Sequence, residues 1–95
     1  MKKRKILGVR CDVIGEGMIP AEVVVNVYGN KSDAERSLGI RGYSILKDAV
    51  EKTKSGISYI SARVFNKIGD SYLCWISADG GIQKVRVPES QLVFV

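Results

Sequence analysis

Ser32-Asp33-Ala34-Glu35-Arg36-Ser37-Leu38-Gly39-Ile40-Arg41-Gly42-Tyr43-Ser44-Ile45-Leu46-Lys47-Asp48-Ala49-Val50 is the stretch on which the fold turns. Ser32 and Glu35 have the spacing of a capping box, in which the hydroxyl serves a free helix N–H and the carboxylate reaches back. That predicts a short helix from about Asp33 to Leu38. Gly39 and Gly42 interrupt it, because each glycine costs a helix interior about 1 kcal/mol relative to alanine. From Tyr43 to Lys54 a helical stripe resumes in Ile45, Leu46, Ala49 and Val50. Asp48 and Lys52, four apart, support it on the other side, and Gly56 is placed to end it.

Strands flank these two helices. Lys5 to Ile14 alternates, with Leu7, Val9, Cys11 and Val13 on one side and Gly8, Arg10 and Asp12 on the other. After Gly15-Glu16-Gly17 and Pro20, Ala21 to Tyr28 alternates again, with Val23, Val25 and Val27 facing inward. Beyond Gly56, Ile57 to Ile68 reads as one long strand and Ser71 to Ala78 as its return. Asp79-Gly80-Gly81 is a hairpin turn, since such residues take positive φ angles. Ile82 to Val87 follows, and Leu92 to Val95 closes the chain. The expected fold is α+β: one small domain over residues 1–95, order ββααβββ, an antiparallel sheet or small partly open barrel packed on one helix.

Two resemblances sit on particular residues. Leu38-Gly39-Ile40-Arg41-Gly42-Tyr43-Ser44-Ile45 resembles the helix–GXXG–helix element of KH nucleic-acid-binding domains. That resemblance implies a loop approaching a sugar-phosphate backbone, with Arg41 adding charge. The plain alternative is that the glycines join two helices. Trp75, then Asp79-Gly80-Gly81, then Val85-Arg86-Val87-Pro88-Glu89-Ser90-Gln91-Leu92 is similar to the end of Src-homology-type small barrels. There a strand, a proline-started turn and a short closing strand lie beside a tryptophan.

Charge narrows the function. The chain has 15 bases and 10 acids, and the whole excess lies in Lys2, Lys3, Arg4, Lys5 and Arg10. A basic end of this kind attracts phosphate backbones or acidic proteins; residues 1–5 are expected to be a tail. No apolar run approaches the ~20 residues of a membrane helix, so an intracellular, cytoplasmic protein without a membrane partner is expected. Histidine is absent, which removes the usual general base and the commonest metal ligand. Cys11 and Cys74 read as buried hydrophobes, with a bridge between them as the alternative. Gly15-Glu16-Gly17 lacks the third glycine and the helix of a dinucleotide loop. No catalytic residue, metal or cofactor is assigned.

Tyr59, Arg63, Phe65 and Lys67 share one side of the long strand, where rings interleaved with bases suit single-stranded nucleic acid. The expected function is a non-enzymatic binding module for nucleic acid, DNA or RNA. Its expected contacts are Lys2, Lys3, Arg4, Lys5, Arg10, Arg41, Arg63 and Lys67, with Tyr59 and Phe65 as the platform. The alternative is a protein-interaction module, such as an adaptor, small inhibitor or assembly subunit, with homodimer formation left open.

Overall fold

The computed structural model describes residues 5–31 and 37–95. Among them every regular element is a strand, apart from two three-residue 3-10 turns. The strands are β1 (Ile6–Arg10), β2 (Asp12–Glu16), β3 (Glu22–Gly29), β4 (Gly39–Leu46), β5 (Val50–Lys52), β6 (Ser58–Ser61), β7 (Arg63–Ile68), β8 (Ser71–Ala78), β9 (Gly81–Pro88) and β10 (Leu92–Phe94). They form three antiparallel sheets, ordered β10-β1-β6-β5, β2-β3-β4 and β7-β8-β9.

The expected α+β class is overturned, and residues 39–52 show why. Gly39–Leu46 pairs with β3 over eight consecutive positions, from Glu22 opposite Leu46 to Gly29 opposite Gly39. Ile45 and Leu46, assigned to one helical stripe, instead point to opposite sides of a strand, at 2% and 58% exposure. The second helix is thus replaced by β4, the 3-10 turn Lys47–Ala49 and β5. The glycine pair of the KH-like motif lies inside β4, so the resemblance to that family fails. The capping box at Ser32 and Glu35, and most of the first predicted helix, lie outside the described residues.

Two long runs of alternation have the pattern of single strands, but the chain changes sheet within each. Lys5 to Ile14 divides at Cys11, β1 joining one sheet and β2 another, while Cys11 N–H donates to the Ser58 carbonyl at 3.0 Å. Ile57 to Ile68 divides at Ala62 in the same way, into β6 and β7. Such a chain serves two sheets around one core, which gathers Val9, Val25, Val27, Tyr43, Ile45, Ile76, Val85 and Val87.

The C-terminal half follows local signals closely. Asp79 (φ 53°) and Gly80 (φ 77°) both take left-handed conformations, the geometry of a two-residue hairpin turn. Ser44 N–H donates to Asp79 Oδ1 at 2.8 Å, and Asp79 N–H to the Ser44 carbonyl at 2.7 Å. This turn therefore also locks β4 to the β8–β9 hairpin. Pro88 ends β9, a 3-10 turn covers Glu89–Gln91, and β10 pairs with β1.

Candidate functional site

The outer face of the β7-β8-β9 sheet collects rings and bases. A two-residue turn fixes the β8–β9 register, so Trp75 lies opposite Lys84 and Leu73 opposite Arg86. On the other side Arg63 lies opposite Trp75 and Asn66 opposite Leu73, with Phe65 the extra residue of a bulge. Directly opposed residues share a face. Arg63, Trp75 and Lys84 thus form one row across the sheet, with Asn66, Leu73 and Arg86 beside it.

Phe65 stacks on Trp75, ring centroids 4.6 Å apart and planes 18° apart. Both remain open to solvent, at 43% and 39%. A groove of about 290 Å³ is lined by Ser61, Ala62, Arg63, Trp75, Ile76, Ser77 and Ile82. Trp75 borders that groove and Phe65 does not. The strands of this sheet carry no acid, and three of their four bases, Arg63, Lys84 and Arg86, have the parity of this face. The β2-β3-β4 sheet carries Asp12, Glu16 and Glu22 against Arg41. Folding thereby separates charges that cancel along the chain, and leaves this face positive.

Only part of the expected site assembles here. Arg63 and Phe65 belong to it. The bulge at Phe65 reverses the alternation, so Lys67 lies opposite Tyr72 on the other face, its Nζ 5.4 Å from the tyrosine ring centroid. Tyr59 is buried in the β10-β1-β6-β5 sheet, and its hydroxyl donates to Glu51 Oε2 at 2.9 Å. That hydrogen bond, with burial and the carboxylate charge, holds the Tyr59 pKa above its ordinary value. Tyr59 is therefore no part of a platform.

Arg41 sits on β4 opposite Val27, away from this face, its Nη1 donating to the Ile40 carbonyl at 3.4 Å. Arg10 lies opposite Tyr59, bordering a recess with Asp12, Tyr28, Ile40 and Gln91. Lys5 precedes the opposite end of β1. Since Gly8 lies opposite Ser61, moving from Gly8 toward Lys5 runs in the same direction as moving from Ser61 toward Arg63. Lys2, Lys3 and Arg4 lie outside the described residues.

Trp75, Lys84 and Arg86 were missed as site residues, although the signal was present. A two-residue turn at Asp79-Gly80 sets Ala78 opposite Gly81, and counting back from it puts Trp75 opposite Lys84.

The two cysteines are free and buried. Burial pushes the Cys11 thiol up to about 11, the Asp12 charge adding to the effect, and burial alone takes Cys74 to about 11. Both are protonated at neutral pH, and a thiol rather than a thiolate is a poor nucleophile. Their raised values stabilise the folded state fully below pH 9, the ordinary thiol value, and that contribution is lost as the pH climbs toward 11. Urea unfolding is expected to show stability falling over this window, with a shallower fall in C11A/C74A.

No protein-family model, curated protein or solved structure matches the chain. No metal-holding group of three or more acids, cysteines or histidines occurs among the described residues. No helix among them is long and apolar enough to cross a membrane.

Proposed function

We propose that the protein is a small non-enzymatic module that binds single-stranded nucleic acid on the outer face of β7-β8-β9. The observation that carries this reading is the solvent-open Phe65–Trp75 stack on a sheet whose strands hold bases and no acid. A base stacks on the free side of Trp75, within the groove, where the Ser61 and Ser77 hydroxyls meet its edges. Arg63, Lys84 and Arg86 take the phosphates on either side. Stacking tolerates any base and charge tolerates any sequence, so the module holds strands with weak sequence preference. The bases Lys2, Lys3, Arg4 and Lys5 add attraction for phosphate.

The test is a fluorescence titration with an oligonucleotide of about ten residues, within the range one small domain covers, at two salt concentrations. Three phosphate contacts on a single strand give a slope near −2 in log K against log salt, or about 20-fold weaker binding over a fourfold salt rise. Arg63→Ala is expected to reduce that slope by about 0.7. A flat salt response, with Arg63→Ala indistinguishable from wild type, sinks the proposal.

A protein-interaction role is favoured by a different observation: Ile14, Met18 and Ile19 are all exposed around the β2–β3 hairpin, Met18 at 94%. Association through that hairpin would survive high salt and would be insensitive to Arg63.

A further inference from the structure

Polar side chains of both signs line one recess, of about 320 Å³, at the point where the chain leaves one sheet for the next at Cys11. Arg10 and Asp12 flank that buried cysteine, and both are exposed. Asp12 lies opposite Asn26 on β3. Val9 lies opposite Leu92, which sets Arg10 beside Gln91, just before β10. Asn26 and Gln91 are half-buried. Tyr28 and Ile40, directly opposed on β3 and β4, add an apolar wall at 42% and 66% exposure. Gly42, opposite Asn26, has no side chain to cover the amide, and a Cβ there would meet only Asn26 Oδ1, at 3.9 Å.

These polar groups are not used by the fold. Among the described residues, the Arg10 guanidinium, the Asp12 carboxylate, the Asn26 and Gln91 amides and the Tyr28 hydroxyl make no hydrogen bond or ion pair. Arg10 and Asp12 are opposite in sign and two residues apart, yet they do not pair with each other. A few convergent polar groups in a concavity with apolar walls are what a small-molecule site requires. Each of these groups gains from a partner that the fold does not supply.

Charge decides the class of ligand. A phosphate ester would meet Arg10 and be repelled by Asp12. An amine or polyamine would meet Asp12 and be repelled by Arg10. A zwitterion satisfies both. We propose that this recess binds a free α-amino acid with a large apolar side chain. Arg10 takes the carboxylate through the forked N–H donors that match its two oxygens. Asp12 takes the ammonium, whose remaining protons go to the amide oxygens of Asn26 and Gln91. The side chain lies along Tyr28 and Ile40, so an aromatic or branched one is preferred to a small one. At about 320 Å³ the recess is at the small end of ligand sites, which run from roughly 300 to 1,000 Å³, and it takes a single small molecule. It shares no lining residue with the groove at Trp75, and the inference does not rest on the nucleic-acid reading.

Chemical-shift titrations of the isotope-labelled chain with phenylalanine, phenylalaninamide and N-acetylphenylalanine test it. The amide lacks the carboxylate and the acetyl compound lacks the ammonium. Each is expected to bind about tenfold or more weakly than phenylalanine, the loss of one charged hydrogen-bonded contact. Glycine is expected to fall short by a similar factor, because it buries no side chain on the apolar wall. Two variants assign the charges. Arg10→Met keeps the apolar stem and is expected to lose most of the preference for phenylalanine over its amide. Asp12→Asn is expected to lose most of the preference over the acetyl compound. Both residues are exposed, and urea midpoints near wild type verify that each variant is folded. Absence of shifts around the recess at about 10 mM phenylalanine, beyond the millimolar end of specific affinities, overturns the proposal. So does equal binding of the three compounds, tighter binding of a nucleoside monophosphate than of phenylalanine, or a full set of preferences surviving in both variants.

Discussion

Trp75→Ala is expected to weaken binding of a single-stranded oligonucleotide by about 5- to 150-fold, the range of about 1–3 kcal/mol for one base stacked on an aromatic ring. The indole is the larger of the two exposed rings on the positive face and borders the groove. Its loss therefore removes the surface on which a base lies. Arg63, Lys84 and Arg86 remain, so the variant keeps its salt dependence while losing affinity at every salt concentration. Phe65→Ala acts less directly. It removes the ring that backs the indole, worth about 0.5–1.5 kcal/mol as an aromatic pair, and leaves the groove side of Trp75 in place. Trp75→Phe preserves a ring and is expected to recover most of the affinity. The side chain is 39% exposed, so the fold survives, and a urea melt run beside each titration verifies this. Titration followed by indole fluorescence supplies a second readout, because a stacked base quenches the ring it covers. Wild-type affinity in Trp75→Ala would remove this face from consideration.

The parts of this fold that local chemistry dictates were legible. Val23, Val25 and Val27 alternate inward as their spacing requires, and all three are buried. Asp79 and Gly80 specify their turn through positive φ angles, and Pro88 ends β9 where no further N–H is available. Residues 39–52 were not legible, because Ile45, Leu46, Ala49 and Val50 suit one helix face as well as a strand followed by a turn. An eight-pair ladder with β3 decides between them, and a ladder is a long-range fact. Tyr43, a ring on the inner side of β4 that is buried at 2% exposure, carried a strand preference in that stretch, as did Ile40, Ile45 and Val50.

The residues expected along one long strand are scattered for a related reason. Arguments from alternation assume a straight, unbroken strand. The breaks at Cys11 and Ala62 and the bulges at Ile14 and Phe65 each reset which residues share a face. Tyr59 and Lys67 were lost to those resets. Arg63 was retained because the hairpin register fixes it opposite Trp75.

Gly8→Ala is expected to be the most damaging small substitution in the chain, and Gly42→Ala nearly harmless. Gly8 is buried within β1, the strand held between β10 and β6, opposite Val93 on one side and Ser61 on the other. A Cβ there would drive into the Ile60 carbonyl, whose carbon would lie 2.8 Å away, and would crowd the Tyr59 ring at 3.1 Å. The obstacle is backbone, which no rotamer change can move. β1 and β6 must therefore spread, and the β1–β10 pairing moves with them. Overpacking of this kind costs about 3 kcal/mol, a large part of the roughly 5–15 kcal/mol that stabilises a small domain. The melting temperature is then expected to fall by about 15 °C. Gly42, by contrast, would place its Cβ no nearer than 3.9 Å from any neighbour, the Asn26 side-chain oxygen. Alanine at that strand position is expected to be neutral, or stabilising by about 0.5 kcal/mol, because glycine weakens a strand interior. The pair of substitutions also separates two roles for these glycines. A loop glycine pressed against a nucleic-acid backbone would lose binding on gaining a methyl group, whereas a glycine inside β4 would not. Urea midpoints at unchanged slope measure the stability difference. Equal midpoints for Gly8→Ala and wild type would mean that β1 and β6 do not approach as closely as their register requires.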